Sequence, residues 1–369
     1  MPNAAILNSR QSKTPNCRDA WAINTVAAVM YASQINEWDI VSSVGMFTWD
    51  FVTWLAGSQP TMLDLVVPRV AGTDGRAIAD SIVRDFGLRS ERVQWRFIDV
   101  TPAEFGSKHW WPQRDRMVIE TANTILPVSL RQHGALEKLL ASDEIRARCD
   151  SRFEVTSYDP ESHHLRESID PKRLTMEIRD WGSDWLIHWT RTCHGPWPGE
   201  TRARFFEDFM EWQDGYCRSG FRTLQRILYE RLIRASSWRI GDKQAMVAFT
   251  ELSPVESIPL MRWRPRWSNW AFEPYGIAIH RDLAKGLGIR PIRYVDAVDW
   301  KRVPVEKRPY AHSAGKDDPI WPAEREWRCA GDLDLRAIPV DAIRIIVREQ
   351  AECVAMEHSP SATIHPVMM

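Results

Sequence analysis

The sequence carries almost no net charge. Its 48 Lys and Arg are set against 49 Asp and Glu, a formal −1 over 369 residues. That excludes a general electrostatic pull toward nucleic acid or anionic lipid and confines any such contact to a local patch. It also lacks paired cysteines. Cys17, Cys149, Cys193, Cys217, Cys329 and Cys353 are scattered with no C-x-x-C, which argues against a zinc knuckle and a disulfide framework and predicts a reducing, cytoplasmic setting. No apolar run approaches the ~20 residues that span a bilayer, and the start, MPNAAILNSRQSK, has no basic-then-apolar leader layout. No membrane partner is expected. Neither G-x-G-x-x-G nor a P-loop occurs, so the common dinucleotide and triphosphate fingerprints are absent. The adjacent His163-His164 pair lies in a polar, turn-rich stretch, and neighbouring side chains diverge and rarely ligate one ion together. No metal is predicted.

What the chain has in excess is tryptophan, 19 residues. Its large apolar face and single N–H suit cores, stacking pockets and subunit interfaces alike, so the count alone leaves a homo-oligomer open. The length predicts two domains. Residues 4–7 (AAIL), 38–41 (WDIV) and 62–67 (MLDLVV) read as strands, and Trp21 to Ile35 and Thr48 to Leu55 as helices between them. Strands alternating with helices imply βαβ units and a mainly parallel sheet with helices on both faces. Ligands of such sheets sit at the strands' carboxyl ends. The loops there are Asn8-Ser9-Arg10-Gln11 and Ser42-Ser43-Val44-Gly45. Ser and Gly after a strand are also ordinary turn chemistry.

A third region, QRDRMVIETANTILPVSLRQHGALE over residues 113–137, adds a charged Arg114-Asp115-Arg116, a strand from Thr124 to Val128, and Arg131-Gln132-His133-Gly134 opening a further helix. With NSR and SSVG before it, this order resembles the DprA/lonely-guy (SLOG-like) superfamily of Rossmann-like nucleotide binders. The resemblance covers about Ala4 to Leu140. It implies a nucleotide or phosphorylated small-molecule ligand held by Ser9, Arg10, Ser42, Ser43, Gly45, Arg114, Arg116, Arg131 and Gly134. His133 reads either as a contact to base or phosphate or as a solvent-facing residue at a helix start. Asn8 stands where the family has Gly, and the P-G-G-x-G-T-x-x-E loop of the cytokinin-activating phosphoribohydrolases is missing. The resemblance therefore implies sensing or binding in place of hydrolysis.

Residues 1–150 thus form a Rossmann-like α/β domain, 151–180 a polar connector, and 181–369 an α+β domain richer in strand than helix. Strands are predicted at Trp185 to Thr190, Ala245 to Phe249, Tyr275 to Ile279, Ile292 to Val295 and Ile343 to Val347, and helices at Thr201 to Trp212 and Phe221 to Ala235. The sequence of an H-x-T strand, a helix, F-T-E, Y-G-I and W-x-x-E-x-E-W-R resembles uncharacterised bacterial abortive-infection proteins linked with antiviral defence. Its first part is also similar to His-first ADP-ribosyltransferases. That likeness implies NAD as cofactor, with His188, Thr190, Tyr275 and Glu326 as catalytic candidates and Glu324 as competitor, since a carboxylate stabilises a developing oxocarbenium. The plainer readings are a satisfied core histidine at His188 and a salt-bridge ladder through Glu324, Arg325, Glu326 and Arg328. Finally, Arg262-Trp263-Arg264-Pro265-Arg266-Trp267 interleaves cations with aromatics, as a nucleic-acid stacking platform does. Arg262, Arg264 and Trp267 are the candidates there, with a structural Trp/Arg loop as the alternative.

Overall fold

The computed structural model describes residues 1–105, 107–156, 167–236, 244–265, 269–313, 323–356 and 362–368. The His163-His164 pair and Trp267 lie outside them. The chain divides into two compact units. Unit 1 comprises Met1–Ser162 and His194–Cys217; unit 2 comprises His163–Cys193 and Arg218–Met369. Among the described residues no helix is long and apolar enough to cross a membrane.

Unit 1 is the predicted parallel sheet. Its strands are β1 (Asn3–Asn8), β2 (Asp39–Ser43), β3 (Leu63–Val70), β4 (Val93–Val100) and β5 (Thr124–Ser129), in the order β4-β3-β2-β1-β5 and parallel throughout. β1 is buried on both faces, which is why it reads as an unbroken apolar run and not as an alternation. The connecting helices are α1 (Ala20–Met30), α2 (Phe47–Gly57), α3 (Arg76–Phe86), α4 (Trp111–Thr121) and α5 (Ala135–Leu139). Two cores result. Ala4, Ile6, Ile40 and Leu65 pack beneath α1 and α2 on one face, while Ala5, Leu7, Val41 and Ile125 pack beneath α4 and α5 on the other.

β4 is not among the strands that the apolar runs predict, because Arg96 and Asp99 interrupt it. On this edge strand those charges are used across the pair: Arg96 Nε lies 2.7 Å from Asp64 and Arg69 Nε 2.6 Å from Asp99. A later helix, α6 (Arg202–Glu211), completes unit 1. Thr201 caps it by accepting the Arg204 N–H, and its apolar face (Phe205, Phe206, Phe209) joins the first core beside Phe47, Phe51 and Trp54. Its first residue, Arg202, ion-pairs with Asp50 of α2 (3.2 Å) and with Asp85 of α3.

Unit 2 is an α+β unit around a seven-stranded sheet. Its strands are β6 (Trp185–Trp189), β7 (Met246–Thr250), β8 (Gly276–His280), β9 (Arg290–Pro291), β10 (Glu326–Ala330), β11 (Ile343–Glu349) and β12 (Thr363–Met368). The order is β9-β10-β7-β6-β8-β11-β12, antiparallel except for the final pair. Helix α7 (Gly220–Glu230), capped by Ser219, packs Leu224, Ile227 and Leu228 onto one face with Phe249, Ile277 and Trp327. The other face carries Trp181, Trp185, Ile187, Ala278 and Ile346.

Candidate functional site

In unit 1 the chain steps from β1 through β2 and β3 to β4 on one side, then returns to place β5 on the other side of β1. Connections therefore leave in opposite directions at the β1/β5 boundary, where the carboxyl ends of an open α/β sheet form a crevice. Two predicted residues meet there. The Ser9 hydroxyl accepts the Arg131 N–H (2.8 Å), and the Ser9 N–H donates to the Ser129 carbonyl (2.7 Å). Gln11 cross-braces the same turn, donating to the Ser9 carbonyl and to the Ser129 hydroxyl, each at 3.0 Å. Arg10 and Arg131, one after each strand, are both exposed.

Around Arg10 stands a group that the sequence reading did not single out. The Arg10 guanidinium lies 5.9 Å and the Lys108 ammonium 5.4 Å from the Trp111 ring centroid. Lys13 belongs with them: its pKa is lowered first by burial, then by the charges of Arg10 and Lys108. Three cations thus share one small region, at an electrostatic cost that a bound anion relieves. Trp111 orients two of them through its π face. The sequence signal was Lys108-His109-Trp110-Trp111, a basic and aromatic run immediately before Arg114.

Of the other predicted loop residues, Ser42, Ser43 and Arg114 turn inward. Ser42 shares a hydrogen bond with Thr53 (2.9 Å) and Ser43 donates to the Val66 carbonyl (2.6 Å), both fully buried. Gly45 has φ +96 and donates its N–H to Asp50 (2.8 Å); a Cβ there would stand 3.4 Å from Trp110. Burial pushes the Asp50 carboxyl up despite Arg202 and that N–H. Arg114 is 1% exposed, paired with Asp115 at 2.8 Å, and donates to the Val44 carbonyl (3.3 Å). It sits among Trp49, Trp110 and Trp111 at 5.3, 5.4 and 4.9 Å from their centroids. It is the post beneath Trp111. Arg116, two positions along the same helix, is exposed and cannot share that direction.

The turn before α5 is closed on itself. Gly134 leaves no room for a Cβ, which would meet the Arg131 carbonyl at 2.8 Å. His133 adopts φ +58, and its N–H donates to the Glu137 carboxylate, filling the helix start from within. His133 is exposed and, with Leu130, Glu137, Lys138, Arg146 and Cys149, lines a cleft of about 500 Å³.

Unit 2 distributes its four catalytic candidates. His188 pairs in register with Ile277 and packs on Phe249 (5.7 Å between centroids), with Nδ1 2.8 Å from the Ala248 carbonyl. Glu326 is opposite Thr250, which is opposite Ile187. Since paired residues share a face and neighbours alternate, His188 and Glu326 point to opposite faces of the sheet. Glu326 makes a two-pronged pair with Arg328 (2.7 and 3.1 Å). Glu324 pairs with Arg264, and Arg325 with Glu256 (2.6 Å), so the alternating charges are ion-paired. Burial raises the Glu324 carboxyl, with Arg264 opposing. The Thr190 hydroxyl donates to backbone carbonyls of Gly220 and Tyr275, and the Tyr275 hydroxyl donates to Glu352 (2.9 Å). In the Arg/Trp loop, Arg264 and Trp263 form a two-residue ladder with Asn269 and Trp270, and the Arg262 N–H donates to the Leu260 carbonyl.

Among the displaced groups of unit 2, His188 and Glu273 bear most on stability near neutral pH. Burial pushes His188 down to about 4, Arg191 adding to it. Burial pushes Glu273 up to about 7, although it accepts from the Thr192 N–H and hydroxyl. The unfolded chain protonates His188 below its ordinary value of 6.5, so that group adds stability as pH rises from about 4 to 6.5. The unfolded chain ionises Glu273 above 4.5 while the folded chain holds the proton to about 7, so Glu273 removes stability over that window. Glu273→Gln abolishes the second effect. Urea midpoints of that variant rise with pH up to about 6.5 and then level; a midpoint that falls across the range contradicts the assignment.

No protein-family model matches the chain, and no curated protein matches it. Among solved structures, it is similar to a chain of DNA processing protein A from Helicobacter pylori, a protein described for its single-stranded DNA binding mode. The identity is 12% and the TM-score 0.28. The match spans 40% of this chain and 63% of that one, less than two thirds of its length.

Proposed function

We propose that unit 1 binds a nucleotide or phosphorylated small molecule at the carboxyl ends of β1 and β5. The observation that carries this is the gathering of Arg10, Lys13 and Lys108 about Trp111, where the charges acting on Lys13 are those of two further cations. Arg131, tied through its N–H to Ser9, supplies a fourth cation to the same strand ends. Phosphate oxygens are the matching group, because arginine offers a planar fork and lysine a compact charge. The role is binding or sensing. NAD-dependent transfer in unit 2 forms no part of the proposal, since His188 and Glu326 face opposite sides of their sheet.

Calorimetric titration of the full chain with ATP, NAD and a short single-stranded oligonucleotide tests it. At least one is bound, its affinity falls as salt rises, and Arg10→Ala and Lys108→Ala each weaken it about tenfold or more, as loss of a charge-assisted contact does. Affinity unchanged in both variants rejects the site. A preference for the oligonucleotide over both dinucleotide and mononucleotide identifies the bearer of the phosphates as a nucleic-acid strand.

A further inference from the structure

On one face of the unit 2 sheet, Trp185 is opposite His280, Arg344 is opposite Ala278, and His365 is opposite Ile346. Residues two apart share a face, so these side chains stand together. The Arg344 guanidinium lies 4.1 Å from the Trp185 centroid and 5.0 Å from that of Trp181, and the two rings are 6.2 Å apart. Those three lengths make a nearly right-angled triangle. The cation therefore sits in a corner between the indoles and is not sandwiched by them, which leaves part of its N–H rim uncovered.

Other arginines of this unit are paired with carboxylates: Arg328 with Glu326, Arg348 with Glu167, Arg264 with Glu324. Arg344 has no ion pair or hydrogen bond among the described residues, and burial lowers its pKa. Two further polar atoms at the corner are in the same condition. Trp181 Nε1, on a residue 8% exposed, and His365 Nε2 are buried with no hydrogen-bond partner. The His365 ring meets Trp181 edge-on at 5.4 Å. Buried polar groups are nearly always satisfied, so these two unpartnered ring nitrogens, beside a half-buried arginine with no ion pair, call for a common partner.

We infer that this corner is an oxyanion subsite, taking a carboxylate or phosphate group in the plane of the Arg344 fork, with the Trp181 indole N–H and a His365 Nε2–H as further donors. Each is a donor, and the indoles fix the direction of the fork without competing for its protons. The site is independent of the one proposed in unit 1.

The test is an indole N–H NMR titration of the full chain with inorganic phosphate, acetate and chloride at constant ionic strength, the Trp181 signal being assigned through Trp181→Phe. Phosphate or acetate shifts that signal saturably and chloride does not. Arg344→Gln weakens the response about tenfold or more, and the anion that saturates at lower concentration gives the class. A non-saturating shift, an equal shift with chloride, or an unchanged response in Arg344→Gln overturns the inference and leaves a packing corner. Should Arg344→Gln fail to fold, Arg344→Lys, which keeps the charge and loses the fork, carries the same expectation.

Discussion

Arg114→Ala lowers the unfolding free energy of unit 1 by about 3–5 kcal/mol, the cost of removing one partner of a buried ion pair. Arg114 is 1% exposed, and its polar partners are the Asp115 carboxylate and the Val44 carbonyl. Burial already pushes the Asp115 carboxyl up, with Arg114 as the chief opposing charge. Without that charge, Asp115 is left buried and uncompensated, and three indoles lose the flat group they pack against. Arg114→Lys keeps a charge but neither the plane nor the fork, so it recovers only part of the loss. Urea unfolding of the three proteins measures this. Equal stability of wild type and Arg114→Ala would show that the cage is not a structural post, and the reading of Trp111 as a platform anchored from below would fail with it.

A second large effect is expected far along the chain. Phe206→Ala costs about 3–5 kcal/mol, as truncation of a buried aromatic does. Phe206 is 1% exposed and meets Phe47, Phe51 and Trp54 at 5.5, 5.5 and 5.7 Å. The loss is a loss of unit 1, although the residue lies beyond β6 in sequence. Amide hydrogen exchange distinguishes the two outcomes. Protection falls in β1, β2 and α2 if α6 belongs to that core, and falls in β7, β8 and β10 if it does not.

These two residues mark what the sequence makes legible. β1, β2, β3 and β5 are buried along most of their length, so they read as mostly apolar runs whose order announces a parallel sheet. β4 is an edge, and Arg96 and Asp99 on it are paid for by cross-strand pairs that only the register reveals. The helical period of α6 is plain, yet its partners are not, because the helix it packs against, α2, is formed more than a hundred residues earlier. At the site, a strand-end serine or arginine reads the same whether it faces a ligand or the interior. Arg10 and Arg131 are exposed at the strand ends, whereas Ser42, Ser43 and Arg114 are turned inward. Lys13, Lys108 and Trp111 carry a meaning that is spatial: Lys13 follows β1 and the Lys108–Trp111 run opens α4, and only the fold brings the first beside Arg10 and Lys108. His188 and Glu326 teach the same lesson in reverse, since residues in a suggestive order along the chain are sent to opposite faces by the parity of their strands.

The central claim concerns where a phosphate-bearing ligand sits, and hydrogen–deuterium exchange of the full chain with and without the tightest-binding nucleotide locates it most directly. Slowed exchange in residues 9–13, 107–111 and 130–134, absent in the Arg10→Ala/Lys108→Ala double variant, is the result this structure predicts. Protection confined to unit 2, or the same protection in the double variant, would contradict it.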